Sequence, residues 1–423
     1  MRLASSPGKA VRALVDAVPR GVPIALLIDE YDHGIIQDVV EGDWGAAKAG
    51  IKALRSLFMA TKAPDVGSRI ERCLVTGVAR FARTSLFSGA NNFSDITEAP
   101  LLSRVLGFSE EEIRTAFPVE LARLARTLGT DVDGAVVELT RWYNGYSFDG
   151  SSSSFNPFPV LAALRAGAIS ERKLDAAKGI NWLSLTPGAV VEGLAQELQA
   201  EDRAEAASFD IADLEAQRVR AVPLLLQMGL LSIVAGQPTQ RHAPNEYARR
   251  SLQCMVSSAL QTPLATLAPF TAALRSRDRA AFTTAVRSLM EKIPLTIFKR
   301  GDGKMSKTRE ATFHASLFAA LVSTAPSNVT VQIEAAVMRG RADIFIHFSG
   351  PPHRAVWVVE VGLGSDPAAK LPQVQDYAQA LDERDVYACA VVIKQVHSAS
   401  VAPGGEAVAI QWKRRMHGVW EAA

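Results

Sequence analysis

Three cysteines, Cys73, Cys254 and Cys389, are scattered through 423 residues, and no CxxC pair brings two together. Thiolate zinc sites are built from such pairs, so a zinc finger or ribbon is excluded. The seven histidines form no HxxxH or HExxH pattern, which removes the zincin type of metalloprotease. No apolar run reaches the roughly 18 residues of a membrane helix. Val222 to Val234 comes nearest, and Gln227 interrupts it. The expectation is therefore no membrane partner. A few unpaired cysteines also fit a reducing compartment, which predicts an intracellular protein, cytoplasmic or, in a eukaryote, nuclear. An excess of one charge is missing too: 46 Lys and Arg stand against 44 Asp and Glu, a net +2. A basic footprint over the whole chain is thus absent. Two local clusters remain, Lys299, Arg300, Lys304, Lys307 and Arg309, and Lys413, Arg414 and Arg415. They read either as a solvated loop and tail or as phosphate contacts.

What is present is the composition of a folded chain, 48% hydrophobic and 21% charged. At roughly 150 residues per domain, the length predicts two or three domains. The basic N-terminus reads as an amphipathic helix rather than an organelle leader, because Val11, Leu14, Val15 and Val18 share a helical face. From there helix and strand alternate: a helix at 8–18, a buried strand Ile24 to Ile28, a helix from Ala46 to Ala60, and a strand Arg72 to Thr76. Such alternation predicts an α/β fold with a parallel sheet. The middle of the chain reads as mostly helical, with one short strand at Leu230 to Val234. The last segment gives a helix at Phe313 to Val322, then strands at Val329 to Ala336, Ala342 to Phe348 and Ala355 to Val361. A helix from Pro367 to Leu381 and a strand at Val386 to Ile393 complete it. The expected domains are 1–165, 166–299 and 300–423.

The stretch Leu26 to Asp32, LLIDEYD, has the form of a Walker B strand. An apolar strand would deliver Asp29 at its C-terminal edge, where ligands sit in open α/β sheets. Asp29 would hold Mg²⁺, and Glu30 would orient or deprotonate the attacking water. Thr76 ends the next strand in CLVTG, where a polar sensor would sit near the γ-phosphate, and Arg80 and Arg83 follow. Each has a plain alternative: Thr76 as a turn cap, the arginines as partners of surface acids. A phosphate cradle of the form GxxxxGK(S/T) does not occur. Gly8-Lys9 is the one nearby trace, inside an expected helix.

These motifs, taken in order, resemble a known family. LLIDEYD, then LVTGVARFARTSLFSGANNFSDIT (Leu74 to Thr97), LGFSEEEI (Leu106 to Ile113), RWYNGYSF (Arg141 to Phe148) and NPF (Asn156 to Phe158) are similar to successive blocks of the AAA-ATPase-like family found beside PD-(D/E)xK nuclease-like domains. VPLLLQMGLLSI and HAPNEYARRS extend the similarity over nearly the whole chain. The resemblance implies a P-loop-NTPase-like sheet, with Asp29 and Glu30 as the nucleotide-site acids. It also implies a helical or winged-helix module and a C-terminal nuclease-like domain. In that family a strand and P-loop precede the residues that match Ser5 onward. This sequence starts after them, which leaves open a longer natural chain or a pseudo-ATPase; ATP is a doubtful cofactor of the chain as it stands.

PD-(D/E)xK enzymes hold one or two divalent metals through acids on adjacent strands, and the metals activate water for attack on phosphate. Here Asp343 stands in GRADIFI, and Glu360 closes WVVE at the expected end of the next strand. Glu334 could complete a Mg²⁺ site, while Glu310 and His314 share a face of the preceding helix. GRADI and VVEV look like the family's GRxDI and IIExK, but Gly362 stands where the lysine belongs. Lys370, spaced with Gln373 and Tyr377 along the following helix, is the candidate replacement. The plain alternative pairs Asp343 with Arg341 or Arg339 and makes Glu360 the end of an edge strand. The expected function is that of an incomplete ATPase-nuclease relative, an AAA-ATPase-like protein with a C-terminal nuclease-like domain that does not hydrolyse ATP as it stands and acts on or near DNA or RNA, with Mg²⁺ as the candidate metal of the nuclease-like site. The rival is a binding module with neither site active.

Overall fold

The computed structural model describes residues 6–41, 43–78, 92–97, 99, 101–102, 104–169, 225–234, 237–293, 309–326, 328–333, 336–337, 340–341, 344–349, 354–364, 366–379, 381, 385–394, 408–416 and 419–422. The fold is mixed α/β. Two compact units divide the chain, one made mainly of Met1–Glu98 and one mainly of Ala99–Asp175 with Gly229–Ala423.

In the first unit, α1 (Pro7–Ala17) begins at Ser6, whose hydroxyl accepts from the Lys9 amide as an N-cap. Its apolar stripe, Val11 and Val15, packs with Val66, Leu57, Ile24 and Ile70. Arg69 closes the far end by donating to the carbonyls of Val15 and Val18, both at 2.6 Å. Gly8 marks a close crossing: a Cβ there would lie 2.7 Å from the Ser56 hydroxyl oxygen. That accounts for this glycine by packing on α3 (Trp44–Lys62), not by phosphate binding. The strands β1 (Ile24–Ile28) and β2 (Ile70–Val75) pair in parallel, joined through α2 (His33–Val40), α3 and α4 (Pro64–Gly67). The expectation of a buried strand is not met: on one face Ile24, Leu26 and Ile28 are half-buried. On the other, the register partners Leu27 and Leu74 are 72% and 48% exposed.

The second unit opens with four helices, α5 (Glu110–Ala116), α6 (Pro118–Leu128), α7 (Val132–Tyr143) and α8 (Pro157–Ala166). Ser109 and Glu112 form a reciprocal capping box at α5, the physical content of the SEEE motif. Leu121, Leu124, Leu139, Trp142, Phe155 and Val160 fill the core between these helices. A hairpin, β3 (Ser232–Val234) with β4 (Gln237–His242), precedes α9 (Glu246–Ala259), α10 (Ala268–Ser276) and α11 (Arg279–Lys292). The sequence reading found the first strand of that hairpin and missed the second, whose QPTQRH is too polar to read as a strand.

Helix α12 (Arg309–Thr324) leads into a six-stranded sheet. Its strands are β5 (Val329–Ile333), β8 (Ile344–Phe348), β9 (Ala355–Gly364), β10 (Asp385–Lys394), β11 (Val408–Met416) and β12 (Val419–Ala422), in the order β12-β11-β10-β9-β8-β5. A two-residue pair, β6 (Ala336–Val337) with β7 (Gly340–Arg341), stands apart. β9 and β10 run parallel, and every other pair in the large sheet is antiparallel. The crossover carries a 3-10 turn, Pro367–Ala369, and α13 (Leu371–Ala378), where one longer helix had been expected. Leu371, Val374 and Ala378 of α13 cover Phe345, Val356, Val358 and Ala388. On the opposite face Phe282 of α11 meets Trp357 at 5.3 Å and Trp412 at 5.7 Å between ring centroids.

The reading of Lys413 to Arg415 as a solvated tail is corrected. They belong to β11, paired to β10 on one side and β12 on the other. Arg414 donates to Asp385 at 2.7 Å. Arg415 closes the C-terminal end of α13 by donating to the carbonyls of Ala378 and Leu381. The Lys299 to Lys307 cluster lies outside the described residues.

Candidate functional site

The parallel register of β1 and β2 ends at Ile28↔Val75, which sets the next residues, Asp29 and Thr76, side by side at the strand ends. The Thr76 hydroxyl donates to Asp29 Oδ1, and the Glu30 amide donates to the same oxygen at 2.9 Å. The Thr76 amide reaches back to the Ile28 carbonyl at 2.8 Å, and the Tyr31 amide reaches across to the Thr76 carbonyl at 3.1 Å. The two strand ends are thus laced together by main chain before any ligand arrives. Thr76 reads as the partner of Asp29 rather than as a turn cap. Asp29 is solvent-exposed, and Oδ2 makes no hydrogen bond among the described residues.

Glu30 takes φ +50, a left-handed conformation that costs an L side chain about 1–2 kcal/mol. Its carboxylate is mostly exposed and lies 3.8 Å from His33 Nδ1. Backbone strain of this kind concentrates at functional sites, which makes Glu30 the most unusual residue of the turn. Two residues without a role in the sequence reading complete it. Asp32 is 2% exposed, accepts from the Val78 amide at 3.2 Å, and starts α2 through its carbonyl. Gly77 lies so close to Tyr31 that a Cβ would stand 2.6 Å from the ring. The final aspartate of LLIDEYD and the glycine of VTG are the signals that could have found them. Tyr31 continues inward to Phe58, and Phe58 to Phe93 of the NNF motif; Asn92 donates to Thr61 at 3.3 Å. The later motif therefore braces the first. Arg80 and Arg83 lie outside the described residues.

A carboxylate beside a threonine hydroxyl is a hard oxygen set of the kind Mg²⁺ takes, usually with water and phosphate filling its remaining positions. Asp29 and Thr76 fit one side of such a site. Among the described residues no group of three or more His, Cys, Asp or Glu converges to form a complete protein cage.

In the large sheet, Glu360 is 5% exposed. It does not end its strand, as the sequence reading had it. β9 runs on to Gly364, and Glu360 pairs with Ala390 in the sheet interior, not on an edge. Alternation along the strand puts it on the face of Val356 and Val358, the face that α13 covers. Burying a carboxylate in such a place costs several kcal/mol unless something answers its charge. His314 is buried on α12, and its Nε2 donates to the Val361 carbonyl at 2.7 Å, holding α12 to β9 beside Glu360. Lys370 is the N-terminal cap residue of α13, with the Val374 amide on its carbonyl. Asp343 and Glu334 lie outside the described residues, as do the side chains of Glu310 and Tyr377. The last described pair of β8 and β9 is Ile344↔Val359.

Burial raises the thiol pKa of Cys73, and pushes that of Cys389 well above its ordinary value, so neither serves as a thiolate nucleophile. The WYNGYSF and PNEY motifs meet in a structural knot. Asn245 donates to the Asn144 carbonyl at 2.7 Å, and the buried Tyr146 hydroxyl bonds Asn245 and Asn156. Gly145, at φ +94, is where the chain passes the Pro244 carbonyl too closely for any side chain.

Residues 4–87 match a family described as "Predicted AAA-ATPase", AAA-ATPase-like. The chain is also 24% identical over 336 residues to an "Uncharacterized protein in vnfD 5'region" of Azotobacter chroococcum mcd 1, an alignment covering 78% of this chain and 61% of that protein. The chain therefore spans less than two thirds of that relative's length. No solved structure matches it. The N-terminal segment with the Asp29–Thr76 pair is thus similar to a predicted AAA-ATPase domain.

Proposed function

We propose that this AAA-ATPase-like protein carries, in its C-terminal sheet, a divalent-metal-dependent phosphodiesterase of the PD-(D/E)xK type that acts on nucleic acid. The observation that carries the reading is Glu360, a carboxylate buried in the middle of β9 beneath the face covered by α13. The surroundings support it. The helix, three-strand meander, helix and parallel strand from α12 to β10 form a compact mixed sheet with one crossover, and Lys370 stands at the head of the crossover helix. The reading requires Asp343 and Glu360 to continue the Ile344↔Val359 register by one pair, so that Mg²⁺ or Mn²⁺ could bridge both acids. Lys370 would then supply the positive charge that Gly362 cannot.

The Asp29–Thr76 pair supplies the metal-side half of a nucleotide site in this reading. With no GxxxxGK(S/T) among the 423 residues, the chain as it stands would not turn over ATP. The domain division proposed is 1–165, 166–299 and 300–423.

The test is cleavage of plasmid DNA and of single-stranded RNA by the purified chain with Mg²⁺ or Mn²⁺. Activity should vanish in EDTA and in Glu360→Ala. Cleavage that survives Glu360→Ala unchanged, or no cleavage with either metal, refutes the nuclease reading.

A further inference from the structure

The chain turns from β1 into α2 within LLIDEYD, and the last acid of that motif is the one it buries. Asp32 is 2% exposed, whereas Asp29 and Glu30 face solvent. A carboxylate in such a place is unfavourable unless hydrogen bonds answer it. The Val78 amide donates to Asp32 Oδ1 at 3.2 Å, and a carboxylate acceptor makes such a bond stronger than a neutral one does. The Asp32 carbonyl in turn accepts the Ile36 amide at 3.0 Å in the first turn of α2, so the helix that follows fixes the acid.

Val78 lies two residues beyond Thr76, with Gly77 between them. A glycine there leaves the chain free to swing just past the residue whose hydroxyl meets Asp29. Up to Thr76 the main chain is held by the bonds of its amide to the Ile28 carbonyl and of its carbonyl to the Tyr31 amide, at 2.8 and 3.1 Å. Past Thr76, Tyr31 and Asp32 form the wall on which Gly77 rests. A Cβ at Gly77 would stand 2.6 Å from the Tyr31 ring and would collide with Asp32 Oδ1. Tyr31 is backed by Phe58, with ring centroids 6.2 Å apart. Where the Gly77 peptide lies sets the backbone of Thr76, and a β-branched side chain has few rotamers, so the tie at Val78 reaches the hydroxyl.

We infer that Asp32 is a positioning residue of the Asp29–Thr76 pair: through Val78 and Gly77 it fixes the Thr76 hydroxyl, so that both oxygens meet a divalent cation already in place. That a cation binds there rests on the metal-side reading of the proposed function. The role belongs to the place of the Asp32 oxygen, not to its charge.

The experiment is Mn²⁺ binding to the full chain, read from the paramagnetic resonance signal of the free ion. Every protein carries Glu360→Gln, which removes the other candidate metal site, and circular dichroism checks the fold. Asp29→Asn should abolish the binding. Thr76→Ala and Asp32→Ala should each weaken it about tenfold, the scale of residues that hold a metal ligand in place. Asp32→Asn keeps an oxygen for the Val78 amide and should stay within about threefold of its parent. Asp32→Glu keeps the charge, but its extra methylene displaces the oxygen, and it should lose about as much as the alanine variant. Coupling to Thr76 separates this role from a merely structural one. In the Thr76→Ala background, Asp32→Ala should cost less than about twofold, because its route to the metal is gone. Additive losses in that background overturn the inference, as does a folded Asp32→Ala that binds like its parent; a loss in Asp29→Asn then leaves the metal reading standing. If Asp32→Ala does not fold, the other two variants decide: a tenfold loss in Asp32→Asn, or full affinity in Asp32→Glu, overturns the inference on the same scale. Binding that Asp29→Asn does not change, or no binding at all, removes the metal reading and the inference with it.

Discussion

Replacing Glu30 separates what the backbone wants at this turn from what the side chain does there. At φ +50 the residue carries a steric penalty of about 1–2 kcal/mol that glycine does not have and asparagine largely escapes. The side chain returns little. Glu30 is 70% exposed, and the His33 pair at 3.8 Å belongs to the exposed class worth about 0–1 kcal/mol. Glu30→Gly should relieve the penalty and lose about 0.5–1 kcal/mol to the greater freedom of an unfolded glycine. The net gain is about 0.5–1 kcal/mol, and Glu30→Asn should gain a similar amount. Glu30→Ala keeps the strained φ and should stay within about 0.5 kcal/mol of wild type. The hydrogen bond from the residue-30 amide to Asp29 is main-chain on the donor side and survives all three. The assay is urea unfolding of the full chain, followed by circular dichroism, with thermal melting as a second measure. For folding units of 150–250 residues, 1 kcal/mol moves the midpoint by about 2–4 °C. A wild type more stable than both the Gly and Asn variants, with Ala unchanged, would refute the strain argument. The expected order implies that a carboxylate is kept at this position against the preference of the backbone, as functional residues often are.

Two other changes test the packing and the electrostatics. Phe282 is fully buried and touches Phe270, Trp357 and Trp412 edge-on, so Phe282→Ala should destabilise the second unit by about 3–5 kcal/mol, read from the urea midpoint by tryptophan fluorescence. A loss under about 1 kcal/mol would mean that α11 does not share a core with the sheet. His242 is held below its ordinary pKa of 6.5 by burial, so the unfolded chain binds its proton first as pH falls. Stability should therefore drop as pH falls from about 6.5 and level off below the folded pKa. Compared with wild type, His242→Gln should lose less between pH 7.5 and 5.5. Identical pH dependence in the two proteins would remove His242 from the account.

Much of the frame was legible because periodicity is local. The stripe of Val11 and Val15, the apolar run IALLI, and the strands VWVVEV and VYACAVVI each announce an element from a handful of neighbouring residues. The β11 strand was missed for the opposite reason. Val408, Ile410 and Trp412 alternate correctly, but KRR follows, and its charges meet Asp385 and the carbonyls at the end of α13, which are far away in sequence. Asp29 and Glu360 stood out because an acid within or just after an aliphatic strand contradicts the pattern around it. The sequence could not say how far the strand continued past Glu360.

That last difference changes what a substitution at each acid means. Among the described residues the two parallel pairs are β1 with β2 and β9 with β10, and each candidate acid belongs to one of them. Asp29 lies beyond its strand, at the crest where the aligned ends of β1 and β2 meet, and is exposed. Removing its carboxylate removes the partner of Thr76, with little packing at stake. Glu360 lies within β9, buried between Ala390 of the neighbouring strand and the helix that crosses above. Glu360→Ala would open a void as well as delete a charge, and the two losses would be confounded. Glu360→Gln keeps the shape and removes only the negative charge. If buried charge at this point exists to hold a metal, Glu360→Gln should abolish metal-dependent cleavage while equalling or exceeding wild type in urea, because the desolvation of a carboxylate is no longer opposed to folding. A Gln variant that is both inactive and markedly less stable would instead make Glu360 the partner of a structural cation, and the metal reading would fail with it.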